Sequence, residues 1–132
     1  MFGSDIIRIK VKGYLRNITD NEIFEFEERG IKNKNKITFN NNDIKYSIRC
    51  NDNEIMMIRD GNDFVNTFIF NNNNSKSNYL LKENGYDMDM EVNVSNMESN
   101  DKLIYIEYEI VSTSSGPWKL KNGKYLYINV AT

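Results

Sequence analysis

The chain of 132 residues contains no histidine. That removes the commonest general base, the commonest nitrogen ligand for metals and every Ser-His or Cys-His nucleophile arrangement. There is one cysteine, Cys50, so no internal disulfide framework holds the fold. The single proline is Pro117. No apolar run approaches the ~20 residues of a membrane-spanning helix, and the opening MFGSDIIRIK lacks the apolar core of a secretory leader. The expectation is a cytoplasmic protein with no membrane partner. Charge of one sign is also lacking: 17 basic residues stand against 19 acidic ones, a formal net charge of −2. The two signs are interleaved, without the basic face of a nucleic-acid module. One basic group, Arg29 with Lys32, Lys34 and Lys36, is broken by Asn and carries no aromatics, as a solvated loop does. Nowhere do apolar residues recur at helical spacing for the ten or so residues a helix needs.

Alternation of period two fills the chain instead. Hydrophobic residues make up 39% and charged residues 27%, polar for a globular chain but enough for one core in a single domain spanning residues 1–132. The organising stretch is Glu54–Phe70: two apolar runs, Ile55–Ile58 and Phe64–Phe70, around Arg59-Asp60-Gly61-Asn62-Asp63. Ile, Val, Phe and Thr suit a pleated, half-buried surface, and Asp-Gly-Asn suggests a tight reversal through residues that tolerate positive φ. The pair reads as a β-hairpin. Before it come strands at Asp5–Arg16, with Gly13 marking a kink or bulge, at Glu22–Arg29 closed by Gly30, at Lys36–Phe39 and at Asp43–Cys50. After it comes Asn71–Ser77, a polar stretch with no apolar anchor that reads as a mobile loop. Short strands follow at Tyr79–Leu81, ended by the Asn84-Gly85 turn, at Tyr86–Val94, at Lys102–Val111 and at Lys124–Val130. Between the last two lie a Ser/Gly/Pro loop, Ser112–Trp118, and a turn, Lys119–Gly123. The repeated asparagines sit between apolar segments, where loops belong.

About eight to ten strands with short connections imply antiparallel neighbours in sequence order. Closing such a meander removes exposed edges. The fold class is therefore all-β, a single closed or nearly closed antiparallel meander barrel, with a two-sheet sandwich as the alternative. A barrel of about this size is either filled by side chains or keeps room for one small ligand.

The order of landmarks is distinctive. Phe24-Glu25-Phe26 leads to Gly30; Tyr46 follows in a strand; then come Ile58-Arg59-Asp60-Gly61, Tyr79 ahead of Gly85, and Tyr108-Glu109. Over about Ile7 to Val130 this resembles the YwiB-like family, small bacterial proteins grouped as a domain of unknown function. The resemblance implies a calycin-like, lipocalin-like barrel with no assigned activity, no catalytic residues and no cofactor. Secreted lipocalins carry Gly-x-Trp near the first strand; the only tryptophan here, Trp118, is late.

Several groups invite a chemical reading. Asp87, Asp89 and Glu91 place three carboxylates on one strand face, about 6.5–7 Å apart from one to the next by strand rise. A hard cation wants oxygen ligands converging on one point, whereas an extended strand spreads them, so a solvated outer face is favoured. Glu107 and Glu109 would lie on the same side of any substrate, not across a scissile bond. Cys50 shares a face with Ile44, Tyr46 and Ile48 and reads as a small buried hydrophobe. Arg59 shares a face with Ile55 and Met57, so it is either a turn residue bonding Asp60, Asp63 or a carbonyl, or an anion clamp at a barrel mouth. Glu28 is its natural inner partner if both point inward. The aromatic and Met rows are core or the lining of a pocket. The candidate ligand-binding set is Arg59, Phe24, Phe26, Tyr46, Phe68, Met88, Met90 and Tyr108; no metal site is expected. The leading function is a non-enzymatic binding module for a small apolar or amphipathic ligand. The alternative is a packed barrel whose exposed face around Met56 and Ile58 meets a partner or a second copy of the chain as a homodimer. An enzyme using carboxylates or arginine ranks third.

Overall fold

The computed structural model describes residues 6–18, 20–111 and 121–132, with Lys121 and Asn122 described for their backbone only. Ten strands run in chain order: β1 (Ile6–Asn17), β2 (Ile23–Asn33), β3 (Lys36–Asn41), β4 (Ile44–Asn51), β5 (Glu54–Asp60), β6 (Phe64–Asn71), β7 (Lys76–Leu81), β8 (Asp87–Ser99), β9 (Leu103–Val111) and β10 (Lys121–Ala131). Each pairs antiparallel with its neighbour in sequence, and β1 pairs with β10, so the meander closes into a barrel. The all-β closed barrel expected from alternation is the one observed, and the sandwich is excluded. The expected loop at Ser112–Trp118 and the first two residues of the expected turn at Lys119–Gly123 lie outside the described residues. The rest of that turn is already strand β10.

Side-chain parity sets inside from outside. On β1, Ile9 and Val11 are buried while Arg8, Lys10 and Lys12 are exposed. Ile48, Met57 and Phe68 stand opposite one another across β4, β5 and β6 and are all buried. With Ile37, Ile55, Phe70, Ile104, Ile106 and Ile128 they fill the barrel toward the end that holds the β2–β3, β4–β5 and β8–β9 turns. Phe70 and Tyr108 rings meet at 4.9 Å between centroids, a separation at which aromatic pairs add to simple burial.

Four local expectations are corrected. Gly13 makes no bulge: β1 keeps unbroken register with β10 and β2 on either side of it. A Cβ there would run into the Tyr127 carbonyl oxygen and lie 2.9 Å from the Phe26 ring, so glycine permits a close strand approach. Gly30 does not close β2, which continues to Asn33 with Gly30 opposite Phe39. Gly61 and Asn62 are not among the positive-φ residues. The Gly61 N–H donates to the Phe64 carbonyl at 2.9 Å, and the Phe64 ring covers the glycine so closely that a Cβ would sit 2.7 Å from it. The segment after β6 is anchored: the Asn71 carboxamide oxygen accepts from the N–H groups of Asn73 (3.1 Å) and Asn74 (2.6 Å), and buried Ser75 bonds the Asn71 backbone. An Asx turn supplies the anchor that apolar residues do not.

β8 is also longer than alternation suggests. A bulge at Ser95, between Val94 opposite Tyr108 and Asn96 opposite Glu107, restarts the parity. Met97 then packs on the core opposite Ile106.

Candidate functional site

The barrel is filled at one end and hollow at the other. A cavity of about 610 Å³ opens at the end that carries the β1–β2, β3–β4 and β5–β6 turns. Its floor is Met57, Phe68, Leu126 and Ile128; its rim includes Phe24, Asn41, Asn42, Ile44 and Ile110. A wider hollow of about 880 Å³ at the opposite end is a surface depression around Ile7, Lys32 and Lys102. Its Lys32 is already engaged by the Asp101 carbonyl at 3.4 Å and the Asp101 carboxylate at 3.7 Å. The inner cavity is the site with convergent polar groups.

Register brings those groups together. Tyr46 on β4, Arg59 on β5 and Asn66 on β6 stand opposite one another, so all three project to the same inner face. The row continues through Tyr79 to Met88. Arg59 Nε–H donates to the Tyr46 hydroxyl and Nη1–H to the Asn66 carboxamide oxygen, each at 3.2 Å. The Asn66 amide group in turn donates to Ser77 Oγ at 3.3 Å and to the Asn78 carbonyl at 3.0 Å. The guanidinium carbon lies 5.6 Å from the ring centres of both Tyr46 and Phe64, within cation–π range. Behind Tyr46 the stack continues to Phe39 at 4.9 Å and from Phe39 to Phe26 at 5.6 Å. A packed aromatic ladder therefore fixes the wall that carries Arg59.

Neither the pairing of Arg59 with Glu28 nor its reading as a turn residue is observed. It forms no ion pair among the described residues, with Glu28 or any other acid. Nor is it a turn residue bonding Asp60. The Asp60 carboxylate is held by Lys82 Nζ at 2.7 Å, and the same ammonium donates to the Gly61 carbonyl at 2.8 Å. Arg59 is half-buried, with neutral partners.

Two more polar groups face the same space. Tyr108 on β9 is 5% exposed, and no hydrogen-bond partner for its hydroxyl lies among the described residues. Burial pushes its phenol pKa well up, and the nearby Arg59 charge pulls the other way, so it is a neutral donor at ordinary pH. Lys124 on β10 stands opposite Tyr108, and its ammonium donates to the Asn17 carboxamide oxygen at 2.6 Å. Burial lowers its pKa first, Asp20 opposes this, and the Arg59 charge lowers it further. Two cations thus feel each other across one cavity.

Of the eight candidate residues, six line the cavity: Arg59, Phe24, Phe26, Tyr46, Phe68 and Tyr108. Met88 and Met90 do not. Both have inner-face parity, but Met88 is 42% exposed at the start of β8. Asn66 and Lys124 join the lining although sequence reasoning did not single them out. Among the described residues no cluster of acids or cysteine is arranged to hold a metal. Asp87 and Asp89 are exposed and share the Asn78 side-chain amide at 2.6 and 2.8 Å. Cys50 is half-buried against the core, and burial raises its thiol pKa.

A closed ten-strand antiparallel meander barrel, packed at one end and hollow at the other, is the class these observations define. The YwiB protein of Bacillus subtilis, known from a crystal structure, is similar in fold: TM-score 0.60 and 13% identity, over 97% of this chain and 92% of that one. Likeness at that identity concerns the fold alone. No protein-family model and no curated protein sequence matches the chain.

Proposed function

We propose that the chain is a non-enzymatic binding module whose hollow half-barrel holds one small, partly apolar molecule. The observation that carries this is the cavity of about 610 Å³ entering the barrel. Small-molecule sites typically measure about 300–1,000 Å³, with mostly apolar walls and a few placed polar groups. The walls here are Leu, Ile, Met and Phe, and the polar groups are Arg59, Lys124, Tyr46, Tyr108 and Asn66. A guanidinium, an ammonium and two phenol hydroxyls are hydrogen-bond donors suited to holding a ligand. The fold likeness to YwiB and the landmarks from Phe24 to Tyr108 support placing the chain among the YwiB-like proteins, bacterial and cytoplasmic.

Native mass spectrometry of the protein purified from its own host tests the reading. The expected result is one extra small-molecule mass per chain, released on denaturation. A clean mass of the bare chain under conditions that preserve other barrel–ligand complexes would count against it.

A further inference from the structure

We propose that this cavity takes a carboxylate with an apolar body, its carboxylate held by the free Nη donors of Arg59 with the Tyr46 and Tyr108 hydroxyls donating beside it. The inference rests on the cavity being a ligand site.

The first ground is an unbalanced charge. A guanidinium stays ionised at any ordinary pH, and burying a charge without a counter-charge is costly. Arg59 is half-buried in an apolar-walled cavity and its two hydrogen-bonded partners, Tyr46 and Asn66, are neutral. Those bonds use two of the five N–H donors of a guanidinium. The remaining donors include the Nη2 pair, and the two terminal nitrogens together make the flat fork that meets a carboxylate through two parallel bonds.

The second ground is independent. Tyr108 is 5% exposed, yet among the described residues no buried side-chain polar atom lacks a partner. A hydroxyl without a hydrogen bond among the described residues therefore reaches the open space of the cavity it lines. Tyr46 accepts from Arg59 and keeps its own proton to donate. One charged fork and two neutral donors match a single negative charge on two oxygens.

Lys124 strengthens the positive field from the opposite wall, held in place by Asn17. The nearest acids act from the rim: Asp20 on Lys124 from the β1–β2 turn, and Glu25 in the lining. Neither forms an ion pair with Arg59. Below the guanidinium, Met57, Phe68, Leu126 and Ile128 offer an apolar bed for the body of the ligand. Because the Lys124 ammonium is already held by Asn17, the donor set aimed into the space is one planar fork with two phenol hydroxyls, the shape of a carboxylate's two oxygens.

There is also a way in. β2 pairs with β3 only from Gly30 to Asn33, so Ile23–Arg29 has a strand neighbour on the β1 side alone. Phe24, 54% exposed, stands at that opening and shares the cavity rim with Asn41, Asn42 and Ile44 of the β3–β4 hairpin.

Titration calorimetry of the native chain with decanoate, decanol and decyl phosphate tests the assignment. Decanoate is expected to bind once per chain, about tenfold or more tighter than decanol, the worth of a charge-assisted pair. Arg59→Met abolishes that preference, weakening decanoate at least about tenfold more than decanol. Tyr108→Phe weakens decanoate about three- to tenfold and decanol less, because the lost bond is stronger to a charged acceptor. Arg59→Lys, which keeps the charge without the fork, retains part of the preference, and circular dichroism checks that each variant is folded. Equal affinity of the native chain for decanoate and decanol overturns the carboxylate assignment while leaving the cavity reading in place. Tighter binding of decyl phosphate than of decanoate also overturns it, in favour of a phosphate. Failure of all three to bind overturns the cavity reading itself.

Discussion

Asn66 shows how much one side chain can settle. It is 4% exposed, accepts from Arg59 and donates to both Ser77 and the Asn78 carbonyl. It therefore ties β5, β6 and β7 together through polar bonds inside an otherwise apolar barrel. Removing one partner from a buried network leaves the others unsatisfied, at about 1–3 kcal/mol. Asn66→Ala is expected to lower stability by about that amount in urea unfolding, and an unchanged midpoint would show the network to be dispensable. Asn66 was visible in the sequence as the polar member of the row Phe64, Asn66, Phe68, Phe70. Lys124, two residues before Leu126 in the row Leu126, Ile128, Val130, carried the same signal. A polar residue in an apolar row is the mark of a lined interior. Parity alone could not separate Met88 from Tyr46. Both have inner-face parity in the same cross-strand row, but β8 begins at Asp87, leaving Met88 at the barrel's open edge.

The strands themselves follow from alternation and turn chemistry. The β3–β4 connection is a two-residue turn, Asn42-Asp43, flanked by the pair Asn41 and Ile44, with φ of 51° and 64°. Both central residues are left-handed, as a type I′ hairpin requires, and Asn and Asp tolerate this better than most. What reads as asparagine filler in the sequence is here a turn-forming choice. Asp43→Val places a β-branched residue at positive φ, with an expected loss of roughly 1–2 kcal/mol in thermal or urea unfolding. Asp43→Gly is the control and is expected to hold its stability; equal losses in both would mean the side chain, not the backbone, matters. The Ser95 bulge was illegible because Ser95–Ser99 has no apolar alternation, and only pairing with β9 reveals the extra residue. The β6–β7 connection hid its anchor for a similar reason, since an Asx turn is made of the same polar residues as a loose loop.

β2 is the element whose pairing is least complete. Its residues Ile23–Arg29 are hydrogen-bonded on one side only, and none of them is buried. Local opening free energy is lowest where backbone bonds are solvent-exposed and buried contacts are few. Amide hydrogen exchange is expected to show Ile23–Arg29 losing protection before Met57 and Phe68, which sit between two paired strands. Uniform protection around the barrel would contradict a β2 opening to the cavity.

For the molecule as a whole, sequence order and short connections were enough to predict an antiparallel meander, and closure followed from the need to hide edges. Whether the interior was filled was not readable, because it depends on how far successive strands shift along the barrel axis. That shift leaves Ile48, Ile55 and Phe70 in solid packing and puts Tyr46, Arg59 and Asn66 around empty space a few residues away along the same strands. The most direct test of the central claim is an amide and side-chain NMR titration of the native chain with decanoate. Shifts are predicted to concentrate on Tyr46, Met57, Arg59, Asn66, Phe68 and Tyr108, with the packed end around Ile55 and Phe70 nearly still. Shifts scattered over the outer strand faces, or none at saturating ligand, would contradict it.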